Sequence, residues 1–378
     1  MIYLFLSVGL LYILSLAILM VGFWKLPMFT KKLPTHKTTF SIVIPFRNEA
    51  ENLQGLLESL QNLKYPSHLF EVLFVDDASE DNSVRVINQV LKKNGSFNNY
   101  KIIKNKRCSA SPKKDAITAA IAISKYEWIL TTDADCMLPP TWLTSYDSFI
   151  QTIKSTLVAG PIVYKADESV VQQFQKFDGL SLQLVTAGSF GLHAPILCNG
   201  ANLAYRKEAF YSVNGFSENN HIASGDDIFI LEKILKIAPK EVHFLKSADA
   251  IVETQSQSSW KDLIHQRIRW ASKTAKQKSS FSKTLGLVVF LSNFLILLGC
   301  LYSIISPHLL PYYVAFFVAK AFLDFYVIQT SNTFFKNKMN AAAFLISVFY
   351  YPIITVLVVL RSLKGTYSWK GRNFEKQP

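Results

Sequence analysis

Asp133-Ala134-Asp135 ends a short apolar run, residues 128–132. Two carboxylates at such a strand exit can reach a hard divalent cation, Mg²⁺ or Mn²⁺, whose other ligands are usually water and phosphate oxygens. A diphosphate is the natural third party, although Asp-x-Asp by itself is also an ordinary solvated turn. Asp76 and Asp77 end a second apolar run. Either can accept hydrogen bonds from a base or a ribose, or cap a helix starting near Ser83. Asp226 and Asp227 stand before the apolar run 228–231, at the start of an expected helix. A carboxylate there is stabilised as the anion, which suits a helix cap or a general base that deprotonates an acceptor hydroxyl. One Asp suffices for a cap, and Asp226 is the candidate for it.

Lys113 and Lys114 open another expected helix, where an ammonium and backbone N–H groups can together face a phosphate; a solvated basic pair fits almost as well. Gln266-Arg267-Ile268-Arg269-Trp270 lies in a basic stretch, and helical spacing sets Gln266, Arg269 and Trp270 on one side. Arg269 suits a diphosphate leaving group and Trp270 a sugar face or an acceptor wall. The alternative is a membrane anchor made of interfacial Trp and snorkelling Arg.

The elements that would position these groups alternate. Residues 39–45 form a β-branched run ended by Pro45 and the polar turn Phe46-Arg47-Asn48-Glu49, with Leu53, Leu56, Leu57 and Leu60 following at helical spacing. The same order recurs as strand 71–75 with a helix around 84–91, strand 101–104 with a helix over 113–124, and strand 128–132. Alternation of this kind predicts an α/β fold with a mainly parallel sheet covered on both faces. Ligands of such sheets bind beyond the carboxyl ends of the strands, so Arg47 to Glu49, Asp76 with Asp77, and Asp133 to Asp135 converge on one cleft. Neither GxGxxG nor GxxxxGK[ST] occurs, which leaves no support for a dinucleotide fold or a P-loop.

Half the residues are apolar, 50% of 378, which is high for a purely water-soluble chain. Residues 1–24 carry no charged side chain and are long enough to cross a hydrocarbon core. A cleaved signal peptide is the alternative, but the basic leading region and a small-x-small site are missing, and a retained anchor is expected. Three further apolar stretches, 285–305, 312–330 and 341–360, make residues 285–361 a membrane region and residues 362–378 a basic tail. The soluble domain is expected over residues 37–280.

The formal charge of +13 is concentrated beside these stretches, at Lys25, Lys31 and Lys32 and at Arg267, Arg269, Lys273, Lys276, Lys278 and Lys283. Such clusters mark the cytoplasmic side of a membrane and need no nucleic acid to explain them. Three full crossings after a cytoplasmic domain would, however, send the basic tail outside. One stretch is therefore expected to be interfacial or re-entrant, and 312–330 is the weakest because it holds Lys320 and Asp324, spaced to neutralise each other. Cys108, Cys136, Cys198 and Cys300 show neither CxxC spacing nor a His pattern, and read as reduced thiols.

Ser41-Ile-Val-Ile-Pro-Phe-Arg-Asn-Glu49, Val75-Asp-Asp-Ala-Ser79, Thr132-Asp-Ala-Asp135, Gly225-Asp-Asp227 and Gln266-Arg-Ile-Arg-Trp270 occur in this order. The set resembles the membrane-bound family 2 glycosyltransferases of GT-A fold with D, DxD, (E/D)D and QxxRW motifs, a group that includes cellulose, hyaluronan and ceramide-glucose synthases. The resemblance covers residues 39–272. It implies an inverting transfer of a sugar from a nucleotide-sugar, UDP- or GDP-linked, with a Rossmann-like cytoplasmic domain flanked by N- and C-terminal membrane helices. Pro45, Arg47, Glu49, Asp76, Asp77, Lys113 and Asp133 would bind the donor, and Asp133 and Asp135 the Mg²⁺ or Mn²⁺. Asp227 would be the base, with Asp226 beside it, while Gln266, Arg269 and Trp270 would close over donor and acceptor.

Asn199-Gly-Ala-Asn-Leu-Ala-Tyr-Arg206 is similar to the family's acceptor-side segment, and Trp369-Lys-Gly-Arg372 to its C-terminal tail. Gly225-Asp226 departs from the Thr-Glu of many polymer synthases, and Asp in place of Glu shortens that arm. Few membrane helices for a pore point to a lipid or lipid-linked acceptor at the inner membrane, guided along the apolar stretch 180–197. Processive polysaccharide synthesis is the alternative; an inactive nucleotide-binding scaffold and a sugar nucleotidyltransferase are more distant ones.

Overall fold

The computed structural model describes the chain apart from residues 31, 34, 94–97, 223, 275, 364–366, 370, 371 and 375–378. Lys31, the tail residues Lys364, Lys370 and Lys376, and the Lys-Gly of the tail match thus lie outside the described residues. Two compact units are present. One joins Met1–Leu26, Lys165–Ile196 and Ser256–Pro378; the other joins Pro27–Tyr164 and Leu197–Gln255.

The first element is an apolar helix, α1 (Ile2–Lys25), and the second unit begins after it with the expected alternation: β1 (Phe40–Phe46), α2 (Leu53–Gln61), β2 (Phe70–Asp76), α3 (Ser83–Lys93), β3 (Tyr100–Lys104), α4 (Pro112–Ile123) and β4 (Trp128–Thr131). It continues through β5 (Cys136–Met137), α5 (Trp142–Thr152), β6 (Leu157–Ala159) and β7 (Ile162–Lys165). After α6 (Val170–Gly191), which belongs to the other unit, come β8 (Leu203–Arg206), α7 (Lys207–Ser212), α8 (Asp226–Ile237), β9 (Val242–Phe244) and β10 (Val252–Gln255).

Seven strands form the main sheet in the order β3-β2-β1-β4-β8-β6-β9. The β1 strand pairs in parallel with β2 and β4, and β2 with β3, whereas β8 is antiparallel to β4 and β6. Every residue of β1 but Pro45 is buried, the pattern of a parallel strand covered on both faces. The α2 residues Leu53, Leu56, Leu57 and Leu60 all face the core, with Ile42, Ile44, Phe74, Trp142 and Tyr146 in the same cluster. The register sets Phe46 opposite Asp76 and Asp76 opposite Lys104, so the polar ends of β1, β2 and β3 fall in one row. A smaller sheet, β5-β10-β7, accompanies the main one.

The other unit is helical: α1, α6, α9 (Trp260–Thr274), α10 (Ser280–Ile305), α11 (Leu310–Phe335) and α12 (Ala341–Leu363), ending in the two-stranded β11 (Tyr367–Trp369) and β12 (Arg372–Phe374). Four of its helices, at 2–25, 280–305, 307–335 and 341–363, are long and apolar enough to cross a membrane. The third covers the stretch 312–330 without a break. Lys320 and Asp324 pair at 2.7 Å, as their spacing predicts, and the Tyr12 hydroxyl donates to Asp324 at 2.5 Å.

The α1 and α6 helices touch through glycine. A Cβ on Gly22 would collide with the Gly188 carbonyl oxygen, and one on Gly188 with that of Leu19. Small residues at such positions allow the two helix backbones to approach closely. The stretch 180–197 is thus not a free apolar track: Leu180 packs in one cluster with Phe177, Ile328 and Phe344.

Candidate active site

In the α/β unit, the carboxyl end of β4 leads into Asp133, and the N-terminus of α4 supplies Lys113. The Lys113 Nζ donates to Asp133 Oδ1 at 2.7 Å and lies 3.3 Å from Asp226 Oδ2. Burial alone would lower the pKa of this ammonium, but the Asp133, Asp226 and Asp227 carboxylates outweigh it and raise the pKa far above the ordinary lysine value. Lys113 is therefore a fixed positive charge at any working pH. Lys114 is not part of a solvated pair: it is 1% exposed and donates to the carbonyls of Asn219 at 2.7 Å and Ile222 at 2.8 Å, pinning the loop that leads towards α8.

Asp226 and Asp227 occupy the first turn of α8 and are both buried. The N-cap is Gly225, at φ +91°, a left-handed conformation that glycine enters without a steric cost. Asp226 therefore makes no cap and instead faces Lys113. Asp227 Oδ1 accepts from the Ile228 N–H at 2.8 Å, at the positive end of the helix. Gly200 borders both groups: a Cβ there would stand 2.9 Å from Asp226 Oδ2 and 3.4 Å from Lys113 Nζ. Any side chain at this position would crowd the cleft.

The segment 199–206 is held from below. Asn202 Nδ2 donates to the carbonyls of Pro161 at 2.8 Å and Ala250 at 2.9 Å, while its Oδ1 accepts from Trp142 Nε1 at 2.9 Å and the Tyr146 hydroxyl at 2.8 Å. Thr131 Oγ1 donates to the Gly200 carbonyl at 2.7 Å, tying this segment to β4. Burial and the Asp226 carboxylate raise the Tyr205 pKa against the opposing effect of Lys113, so its phenol stays protonated. Burial, then Asp135 and Asp133, likewise keep the Cys136 thiol protonated. A thiolate nucleophile is excluded there.

The donor-side residues divide. Asp76 Oδ1 accepts from the Ser79 N–H at 2.9 Å, within its own turn. Asp77 is buried and accepts from Asn105 Nδ2 at 2.8 Å and Arg107 Nε at 2.9 Å. Asn105 and Arg107 were not singled out from sequence, although the parallel sheet places the end of β3 in the same row as Asp76. Arg47, beside Pro45 and Phe46, donates to the Asp77 and Ala78 carbonyls and pairs with Glu80 at 2.8 Å. It thus shapes the loop after β2. Glu49 Oε2 accepts from Asn52 Nδ2 at 2.7 Å.

Among the described residues, no three His, Cys, Asp or Glu side chains form a metal cluster. Asp133 and Asp226 nevertheless converge on one cation, the Lys113 ammonium, and Asp135 Oδ1 lies 3.7 Å from Cys136 Sγ close by. An all-oxygen set of this kind fits Mg²⁺ or Mn²⁺, which keep waters and take substrate phosphates rather than a complete protein cage.

In the helical unit, Gln266, Arg269 and Trp270 share α9 as their spacing predicts. Arg267, between them, is paired with Asp178 at 2.6 Å.

Residues 7–378 match the model of Glycosyl transferase family 21, and the chain belongs to that family. The chain is 34% identical over 102 residues to an undecaprenyl-phosphate 4-deoxy-4-formamido-L-arabinose transferase of Pseudomonas savastanoi pv. phaseolicola, covering 26% of this chain and 29% of that one. It is 24% identical over 241 residues to a poly-beta-1,6-N-acetyl-D-glucosamine synthase of Staphylococcus epidermidis, covering 61% and 53%. The chain spans 19% and 58% of the first two curated relatives it matches. Among solved structures, the mannosyltransferase PcManGT of Pyrobaculum calidifontis, in complex with GDP-Man and Mn²⁺, aligns over 95% of this chain and 98% of its own at TM-score 0.58 and 16% identity. That likeness supports the GT-A-like fold.

Proposed function

We propose that the chain is an inverting, metal-dependent glycosyltransferase that moves one sugar, or a few, from a UDP- or GDP-sugar to a lipid or lipid-linked acceptor at the membrane. The observation that carries this reading is the meeting of Asp133, Lys113 and Asp226 beyond the carboxyl ends of the parallel strands, beside the buried Asp227. Asp133 and Asp135 would hold Mg²⁺ or Mn²⁺, which supplies charge neutralisation to the diphosphate of the donor when bound. The Asp76–Asp77 loop, organised by Arg47 and Arg107, receives the nucleoside. Lys113 adds a fixed positive charge beside the diphosphate. Asp227 removes the proton from the acceptor hydroxyl. Gln266, Arg269 and Trp270 serve the leaving group and acceptor.

A lipid-linked acceptor is supported by the undecaprenyl-phosphate relative and by the apolar helices. The polymer-synthase relative favours a second reading, processive synthesis. Product length with purified protein separates the two: short lipid glycosides are expected, and a ladder of long products would overturn the lipid-glycoside reading.

Contacts within the helical unit also bear on topology. A Cβ on Gly299, near the end of α10, would meet the Tyr313 ring near the start of α11, so α11 runs back towards the start of α10. The start of α12 adjoins the start of α6, where Asn340 meets Glu168 at 3.3 Å and Lys176 donates to the Lys338 carbonyl at 2.7 Å. Its later turns, through Ile354 and Val358, pack with Leu263 and Ile268 of α9, and β11 also touches α9. The charges of α9, among them Lys261, Asp262, Arg269 and Lys273, are costly in hydrocarbon.

In this proposal α10 and α11 cross, while α12 keeps both ends on the α9 side. The basic tail then stays with α9 in the cytoplasm, as the positive-inside rule requires. The interfacial role moves from the stretch 312–330 to α12. A cysteine introduced at Ser362, in a background lacking exposed thiols, should react with a membrane-impermeant maleimide only after the membrane is opened. Labelling in intact cells would place the tail outside and contradict this topology.

A further inference from the structure

Arg267 occupies an unassigned letter of Gln266-Arg-Ile-Arg-Trp270, yet it touches the motif's first and last residues. Its Nη1 donates to Gln266 Oε1 at 2.9 Å, and its guanidinium carbon lies 4.2 Å from the centre of the Trp270 ring. Its Nη2 stands 2.6 Å from Asp178 Oδ2 of α6, and both side chains are 10% exposed. A planar guanidinium can do all of this at once, presenting a face to an aromatic ring and N–H groups along its edges. Lysine, with a point charge on a flexible stem, can keep the ion pair but not the stacked plane and the directed N–H.

We propose that Arg267, anchored by Asp178, is a positioning residue that sets the side-chain geometry of Gln266 and Trp270 for glycosyl transfer. The proposal rests on the reading of Gln266 and Trp270 as groups that serve the donor and acceptor. Three facts favour it over a plain tether between two helices. The ion pair alone would need only a charge, whereas Arg267 also spends a donor on its neighbour's amide and its face on an aromatic ring. The anchor is remote in sequence, so the setting depends on the folded packing of α6 against α9. Both groups it touches belong to the motif.

The test uses Arg267→Lys, which retains the charge facing Asp178, together with Asp178→Asn, Gln266→Ala and the double variant Arg267→Lys/Gln266→Ala, all in the full chain. Misplacing a reacting group by about 1 Å costs about a hundredfold. Arg267→Lys is accordingly expected to lower kcat about tenfold to a hundredfold while KM for the nucleotide-sugar changes less than about threefold. Asp178→Asn should shift kcat in the same direction. The double variant should be little worse than its poorer parent, since both changes act through one group. Wild-type kcat in Arg267→Lys, or losses that multiply in the double variant, would overturn the proposal.

A second readout needs no turnover. The emission of Trp270, taken as the difference between the chain and its Trp270→Phe variant, should change in Arg267→Lys with the melting transition retained. An unchanged spectrum would also overturn the proposal. If the unmodified chain releases no nucleoside diphosphate from any donor, the functional reading fails, and the Trp270 emission still decides whether Arg267 sets that ring.

Discussion

Asp227→Asn should lower kcat for glycosyl transfer by about 10²–10⁴-fold, the usual contribution of a positioned general base, while leaving donor affinity nearly unchanged. The substitution is nearly isosteric and keeps an oxygen for the Ile228 N–H that Asp227 accepts at 2.8 Å. The helix start should therefore survive. What is lost is the capacity to take a proton, because an amide is neutral and barely basic. Nucleoside diphosphate release against acceptor concentration, with donor affinity measured by titration calorimetry, separates the two effects. Unchanged turnover would remove Asp227 as the base. Asp226→Asn is the companion: Asp226 stands 3.3 Å from Lys113, so its loss should disturb donor binding along with turnover.

Asp133→Ala should lower kcat/KM by about 10²–10³-fold through weakened metal and donor binding, by analogy with the loss of one preorganised electrostatic group. Two consequences add here. One carboxylate, with both its oxygens, leaves the set offered to Mg²⁺ or Mn²⁺, and Lys113 loses the partner that it meets at 2.7 Å. Burial works against the Lys113 charge, and Asp133 is the largest of the carboxylates that overcome it. Without Asp133 the Lys113 pKa moves down from its raised value. Activity should consequently acquire an alkaline decline that the unaltered chain lacks, because the ammonium is lost as pH rises through that lowered pKa. Titration of the nucleoside diphosphate with and without Mn²⁺, and a pH profile of nucleotide release, check both parts. Metal-stimulated binding at full strength in Asp133→Ala would contradict the assignment.

The parallel half of the sheet was readable because strand, polar end and helix recur at short range. The strands expected at 71–75, 101–104 and 128–132 are observed as Phe70–Asp76, Tyr100–Lys104 and Trp128–Thr131. Lys114 escaped such reading: adjacent to Lys113 and equal in type, it is buried on the carbonyls of Asn219 and Ile222, a placement fixed by a loop more than a hundred residues away in sequence. The α6 helix escaped as well. Gln172, Gln173, Gln175, Lys176 and Asp178 interrupt its apolar pattern, and only the stretch from residue 180 stood out. Two of those polar groups find partners at long range, Gln175 in the Gln257 carbonyl at 2.9 Å and Asp178 in Arg267 at 2.6 Å. Local periodicity carries no trace of such partners. Arg267 was legible only as one more basic residue near a membrane, since its work depends on Asp178.

The roles of Asp133, Asp135, Asp227 and the α9 motif all follow from one central claim, that a nucleotide-sugar is consumed and its sugar delivered to a lipid. Membranes containing the chain, supplied in turn with radiolabelled UDP- and GDP-sugars with Mn²⁺, with Mg²⁺ or with a chelator, test it most directly. The label should enter the organic-solvent-extractable fraction for one donor, in step with nucleoside diphosphate release, and the chelator should stop both. No transfer from any donor, or label found only in long water-soluble chains, would contradict the account.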